Sequence, residues 1–245
     1  IRDSNEGVTK AVWNEGDGTW TIETEKGASE TFDAIVPALG QLSRPCFPDI
    51  PGVHDFAGAK WHAAEWDDSV DLKGKRVGVI GSAASAVQLI PEVAKEAGHL
   101  VVFQRTPNWV VPRNDHHVTP EVKALMATNL DMAMKLGAQQ RAAIFDTADS
   151  YFWQAFKWTP EGRAAYTRTA LDHLEAQVPD PELRAKLTPD YPIGCKRILI
   201  TDDFYPALRR DNVTLETSGI EAIEANGVRT KDGFHELDVL ILSLI

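Results

Sequence analysis

Cysteine is scarce in this 245-residue chain: Cys46 and Cys195 are the whole supply. Two thiols without C-x-x-C spacing exclude a disulfide framework and argue against a metal site, so no metal is expected. A reducing cytoplasm is the expected compartment. Long apolar runs are also missing. Nothing approaches the ~18–20 residues of a membrane-spanning helix, so no membrane partner is expected. Positive charge is in deficit: 25 Lys and Arg against 36 Asp and Glu leave a formal charge of −11. The basic residues do not cluster either, which speaks against a nucleic-acid surface, and the acidity reads as solubility. The first residues, IRDSNEG, are neither a signal peptide nor an initiator, so the chain reads as a fragment or a processed product. What remains is a globular composition, 43% hydrophobic and 25% charged, sufficient for one large or two small domains.

Strand and helix patterns divide the chain. Residues 8–36 read as a strand meander, with Trp20 and Ile22 on one face and EGDG as a turn. FDAIVPALG reads as a buried strand, and LSRPCFPDIPG, with three prolines, as a connector. KRVGVIG predicts a short buried strand, residues 83–97 a helix bent or locally started by Pro91, and HLVVFQRTP a second strand. That is a strand–turn–helix–strand unit of a parallel nucleotide-binding sheet. Residues 120–190 read as three or four helices, with Trp153, Phe156 and Trp158 as helix-face core residues. Strand character returns at RILI and NVTLETS, and the end reads as a second meander turning at Asn226-Gly227 and Asp232-Gly233. FDAIVPALG and LDVLILSLI form a weak internal repeat, each following a hairpin. The fold class expected is α/β: a Rossmann-like parallel sheet with a β-meander and a helical insertion.

Candidate chemistry sits at the first strand-to-helix turn. In a G-x-G-x-x-G loop the first glycine turns the chain, the second lets the backbone approach a pyrophosphate, and the third lets helix and strand pack. Here the run is Gly81-Ser82-Ala83-Ala84-Ser85-Ala86, in which Ala83 replaces the middle glycine. The amides at the helix start can still serve a phosphate, and Ser82 and Ser85 add hydroxyls. A small-residue turn without a ligand is the alternative. The end of the second strand carries Gln104-Arg105-Thr106 in place of the Asp or Glu that meets a free ribose 2′-hydroxyl. Arg105 and Thr106 there favour NADP(H) over NAD(H); a solvated surface arginine is the bland alternative.

The spacing F-x-G-x-x-x-H-x-x-x-W-D, on Phe56, Gly58, His62, Trp66 and Asp67, is the most specific signal in the chain. It resembles the fingerprint of the class B flavoprotein monooxygenases, the Baeyer–Villiger monooxygenases most closely. FQRTPNWVVPR and YPIGCKR are similar to the same family, and the similarity runs over essentially the whole chain. The resemblance implies FAD on one Rossmann-like domain and NADPH on another. Reduced flavin captures O2 as a peroxyflavin that inserts oxygen into a small-molecule ketone or oxidises a heteroatom. It further implies that Arg105, Thr106 and Lys196 hold the 2′-phosphate, and that Arg197 is the active-site arginine whose fixed charge stabilises developing anions. His62 and its motif would lie at an interdomain hinge.

The sequence also departs from that family. No FAD-type glycine loop precedes residue 56, Ala38-Leu39-Gly40 stands where an Ala-Thr-Gly crossover is expected, and the chain stops at Leu242-Ser243-Leu244-Ile245. The organisation expected is therefore a remnant of the FAD domain at 1–45, an interdomain linker at 46–74, an NADP-binding domain at 75–118 and 194–245, and a helical insertion at 119–193. Such a chain is expected to bind NADPH, to hold no FAD, to be inactive alone, and to associate as a homo-oligomer through strand edges in residues 1–40. A non-catalytic interaction or regulatory protein with a decayed nucleotide fold is the alternative. A short-chain dehydrogenase is not supported, because none of Tyr151, Tyr166, Tyr191 or Tyr205 opens a Y-x-x-x-K.

Overall fold

A five-stranded, all-parallel sheet organises most of the chain, its strands ordered Ala59–His62, Val239–Leu242, Arg76–Ile80, His99–Phe103 and Val213–Glu216. The computed structural model describes residues 6–40, 44–114, 117–147 and 159–243. These divide into two units, residues 1–44 and 45–245. Trp153, Phe156 and Trp158 lie outside the described residues, as do Leu244 and Ile245.

The first unit is the expected meander. Strands β1 (Val8–Asn14), β2 (Thr19–Thr24) and β3 (Ser29–Phe32) pair antiparallel in that order. Trp13 opposes Trp20, their ring centroids 5.4 Å apart, and Ile22 is buried. Every residue of β1 is exposed. FDAIVPALG departs from expectation. Residues 33–40 form no strand, and Val36 and Leu39 are 91% and 79% exposed. A strand exists only against a partner backbone, none of the described strands pairs with this run, and Pro37 removes an amide from its middle.

In the second unit the sheet strands are β4 (Ala59–His62), β5 (Arg76–Ile80), β6 (His99–Phe103), β9 (Val213–Glu216) and β13 (Val239–Leu242). Their side chains alternate with period two between separate cores. Val77, Val79, Leu100, Val102, Val239 and Ile241 point to one core, Ile80, Val101, Phe103, Leu240 and Leu242 to the other. A sheet buried on both faces explains why the strands read as continuous apolar runs. Gly78 sits on the second face, where a Cβ would lie 2.5 Å from Leu237 Cδ1.

The first face is covered by α1 (Ala86–Glu96), α4 (Pro160–Gln177), α5 (Pro181–Leu187) and α6 (Phe204–Leu208). Helix α1 is three residues shorter at its start than expected and runs through Pro91, whose ring is buried. The second face is covered by the meander β10 (Ile220–Glu224), β11 (Gly227–Thr230) and β12 (Gly233–Glu236), with Val53 and Phe56 from the connector. The hairpin expected at Asn226-Gly227 turns one residue earlier, because Glu224 already pairs with Gly227.

Two short strands, β7 (Val110–Val111) and β8 (Leu199–Ile200), pair parallel outside the main sheet. Helices α2 (Pro120–Thr128) and α3 (Leu130–Thr147) complete the described elements, and α2 buries no residue. Helices α2, α4 and α5 begin alike. Thr119, Thr159 or Asp180 accepts an amide hydrogen bond as N-cap, and proline follows at the first helical position. None of the described helices is long and apolar enough to cross a membrane.

Candidate functional site

The five parallel strands end on one edge, at His62, Ile80, Phe103, Glu216 and Leu242. The loops leaving that edge after β5 and β6 carry the phosphate-loop and Arg105 positions. Ligands of open α/β sheets bind outside such carboxyl ends.

The first loop turns at Gly81, whose φ of +115° is strained for any residue with a side chain. Its amide donates to the Phe103 carbonyl at 3.0 Å. Ser82 is buried, and its hydroxyl donates to the Thr106 carbonyl at 3.4 Å. Ser85 precedes α1 but caps nothing with its side chain. The amides of Ala83, Ala84 and Ser85 have no acceptor among the described residues. Unpaired amides at a helix start are groups that can receive an anion. The Ala83 methyl narrows the approach to them where a middle glycine would leave most room.

The second loop is tied to the first. Asn108 Nδ2 donates to the Ser82 carbonyl at 2.9 Å and approaches its hydroxyl at 3.3 Å. Gln104, 2% exposed, anchors the base of the loop by donating to the Lys186 carbonyl at 2.9 Å. Arg105 is exposed and Thr106 half-buried.

A third segment, residues 191–197, closes on the second. The Tyr191 hydroxyl donates to the Pro107 carbonyl at 3.1 Å, and the Trp109 indole donates to the Tyr191 carbonyl at 2.9 Å. Burial holds the Tyr191 phenol above its ordinary pKa. The Lys196 ammonium rests 4.6 Å from the centre of the Tyr191 ring. Among the described residues Arg105, Lys196 and Arg197 form no ion pair, and all three are exposed. Gly81–Ser85, Arg105, Thr106 and Lys196 are thus linked through three loops. Arg197 adjoins Lys196 without a hydrogen bond to the other loops.

The fingerprint residues lie elsewhere, on and around edge strand β4. Phe56 is buried in the second-face core. A Cβ on Gly58 would stand 2.4 Å from the Asp238 carbonyl oxygen. His62, 7% exposed, ends β4, and its Nδ1 accepts the Ala64 amide at 3.1 Å. Trp66 packs edge-on against buried Trp61, with centroids 5.5 Å apart. Asp67 accepts the amide and hydroxyl of Ser69 at 3.0 and 2.6 Å, and these bonds hold its carboxyl below the ordinary range. The fingerprint therefore builds an edge strand and its exit turn.

Unfilled amides, three unpaired cations and a side chain at position 105 that cannot repel phosphate fit a 2′-phosphorylated dinucleotide. The described residues do not fit a flavin dinucleotide as well, for they contain no second strand–glycine-loop–helix unit. A depression of about 500 Å³ runs along Phe47–Asp55, but Asp49 and Asp55 line it and would repel phosphate. Asn108, Gln104 and Tyr191 tie the candidate loops together, and the sequence marks none of them for that part. Their partners lie 26, 82 and 84 residues away, so no local pattern marks them.

The chain is similar to known proteins in sequence and in fold. The flavin-binding monooxygenase-like family model matches residues 5–145. A "Baeyer-Villiger monooxygenase" of Pseudomonas aeruginosa is 37% identical over 238 residues, covering 97% of this chain and 44% of the relative. The chain thus spans less than half of that relative's length. Among solved structures, a steroid monooxygenase bound to NADP superposes with a TM-score of 0.75 at 28% identity, over 97% of this chain and 52% of that one. A complex of OTEMO with FAD and NADP gives a TM-score of 0.76 at 28% identity, over 97% and 51%.

Proposed function

This chain belongs to the flavin-binding monooxygenase-like family, and from that premise we propose that it is the NADPH-binding portion of an FAD-dependent monooxygenase. The observation that carries the reading is the tie between the glycine loop and the Arg105 loop at the carboxyl edge of the sheet, through Ser82, Thr106 and Asn108. The division in this reading places a flavin-domain remnant at 1–45, the linker at 46–74, the NADP-binding domain at 75–118 and 194–245, and the insertion at 119–193. The whole protein would insert one oxygen atom into a small-molecule ketone, as the name of its Baeyer-Villiger relative suggests, or oxidise a heteroatom.

NADPH supplies a hydride when bound. The residues of this chain bind and orient it. Amides 83–85 take the pyrophosphate, and Arg105, Thr106 and Lys196 take the 2′-phosphate. The Arg197 guanidinium would supply a fixed positive charge to anions that develop during the reaction. His62, at the end of β4 and within the linker, would couple cofactor binding to domain movement as a positioning group. Alone, the chain holds no flavin and oxygenates nothing.

Titration of purified protein with NADPH and NADH tests this. NADPH binds saturably and more tightly than NADH, and Arg105→Ala removes most of the difference. One exposed charge-assisted hydrogen bond, discounted for solvent, is worth ~1–2 kcal/mol, or roughly 5–30-fold. Absence of saturable NADPH binding overturns the reading and favours the alternative that Ala83 supports, a non-catalytic interaction protein on a decayed nucleotide fold. Stoichiometric FAD in the purified chain, with NADPH-dependent O2 consumption, overturns the claim that it is inactive alone.

A further inference from the structure

We propose that Tyr191 is a positioning residue that sets the discrimination between phosphorylated and unphosphorylated ribose, by holding the Lys196 ammonium at a fixed place relative to the Arg105 loop. The inference rests on the NADPH reading above. A lysine is a strongly hydrated point charge on a flexible stem, and confining it costs rotamer entropy. An exposed lysine with no carboxylate partner has nothing to confine it unless some other surface does. Here the surface is the Tyr191 ring, with Nζ 4.6 Å from its centroid. Tyr191 in turn is tied at two points to the segment that follows Arg105 and Thr106. Its ring hydroxyl donates to the Pro107 carbonyl at 3.1 Å, and its backbone carbonyl accepts from the Trp109 indole at 2.9 Å. Lys196 and Arg105 come from segments about ninety residues apart in sequence, and Tyr191 is the described link from the ammonium to the loop that bears Arg105. Replacing the ring by an aliphatic side chain leaves every cation in the chain but lets one of them wander.

This makes Tyr191 different from a general scaffold residue. Loss of a scaffold residue weakens every dinucleotide alike, whereas loss of Tyr191 weakens only ligands that carry the 2′-phosphate. The probes are 2′,5′-ADP and 5′-AMP, which differ by that group alone. Cation–π contacts at exposed sites correspond to roughly two- to fivefold in affinity. Tyr191→Leu is expected to weaken 2′,5′-ADP by about that factor and leave 5′-AMP unchanged. Tyr191→Phe, which keeps the ring, is expected to fall between wild type and Tyr191→Leu. In a Lys196→Ala background the Tyr191→Leu change is expected to have no further effect.

The wild-type protein supplies a second measurement that does not depend on a variant folding. The Lys196 ε-methylene resonance should be shifted upfield by the ring current and should move on addition of 2′,5′-ADP but not of 5′-AMP. Equal weakening of both probes by Tyr191→Leu, or a Lys196 signal at its unstructured position, overturns the inference while a wild-type preference for 2′,5′-ADP keeps the NADPH reading intact. A wild-type protein without that preference overturns both.

Discussion

Gly58, the glycine of the fingerprint, offers the most direct test of what that motif does. An added Cβ would lie 2.4 Å from the Asp238 carbonyl oxygen and 2.7 Å from the nearest atom of the Phe56 ring. The first obstacle is backbone, immediately before Val239, whose pairing with Ala59 opens the β4–β13 ladder. It cannot swing aside as a side chain would. The methyl group must either lift β4 from the sheet or displace Phe56, which is 6% exposed, from its core. Overpacking of this kind costs about 1–3 kcal/mol, a large share of the roughly 5–15 kcal/mol that holds a domain folded. Gly137, exposed within α3, is the matched control, since a Cβ there meets nothing within 4 Å. Glycine in a helix interior costs about 0.5–1 kcal/mol relative to alanine. The same chemical change should therefore have opposite signs at the two positions. Urea denaturation followed by helical circular dichroism reads both, with midpoints moving and slopes held. NADPH affinity of the folded Gly58→Ala protein should be unchanged. A Gly58→Ala variant within about 0.5 kcal/mol of wild type would refute the argument, because the close approach of the Asp238 carbonyl would then have no consequence.

Three further outcomes are expected. Arg76 donates to Asp238 from its amide at 2.9 Å, from Nε at 3.0 Å and from Nη2 at 2.6 Å, and these bonds pull the Asp238 carboxyl down to about 2. Its folded pKa lies below its unfolded one, so the stabilisation is complete above about pH 4 and is lost as pH falls toward 2. With the side chain 37% exposed, Asp238→Asn should cost only ~1 kcal/mol at neutral pH; a carboxyl carbon-13 titration with its midpoint in the ordinary range would contradict the pairing. Asn108→Ala removes the tie to Ser82 and should weaken NADPH and NADH by the same factor, about 5–10-fold. A change in their ratio would show that Asn108 acts on the 2′-phosphate instead. Thr159→Ala deletes the N-cap of α4, whose hydroxyl accepts the Gly162 amide at 3.2 Å, and should lower stability by ~1 kcal/mol in thermal melts.

Strands β5, β6 and β13 were legible because they are buried on both faces. VGVI, LVVF and VLIL are unbroken apolar runs, and a parallel core produces such runs; edge strand β4, AKWH, has no such run and reads as part of the linker. The meanders were legible from alternation, although the β10–β11 hairpin turns a residue before its Asn-Gly signal. FDAIVPALG misled for a physical reason. An apolar run states a wish for burial, while a strand also needs a partner edge, and residues 33–40 find none among the described strands. The Thr-Pro-Glu and Asp-Pro-Glu starts of α2, α4 and α5 carried a signal that composition alone did not use. At the site, Gly81, Arg105 and Thr106 were legible because the strand–turn–helix–strand unit fixes their spacing. Asn108 and Tyr191 were not, because each acts through a carbonyl far away in sequence.

The two sets of residues answer different physical demands. Phe56 and Gly58 are constrained by neighbours: one fills a core, and the other lies where the Asp238 backbone leaves no space for a side chain. Constraint by close packing preserves a spacing, so F-x-G-x-x-x-H-x-x-x-W-D identifies a lineage well. Arg105, Lys196 and Arg197 are exposed, and among the described residues no carboxylate pairs with their charges. Exposed cations cost little to keep or lose in the absence of ligand, so what maintains their arrangement must come from a ligand or from groups that hold them for one. Tyr191 lies against Lys196, and Asn108 ties the loop that follows Arg105 to Ser82, so their hydrogen bonds are committed to the loops rather than to the core. The fingerprint therefore reports how the edge of the sheet is built, and the ligand chemistry of this chain is to be sought in the three loops at the sheet's carboxyl edge.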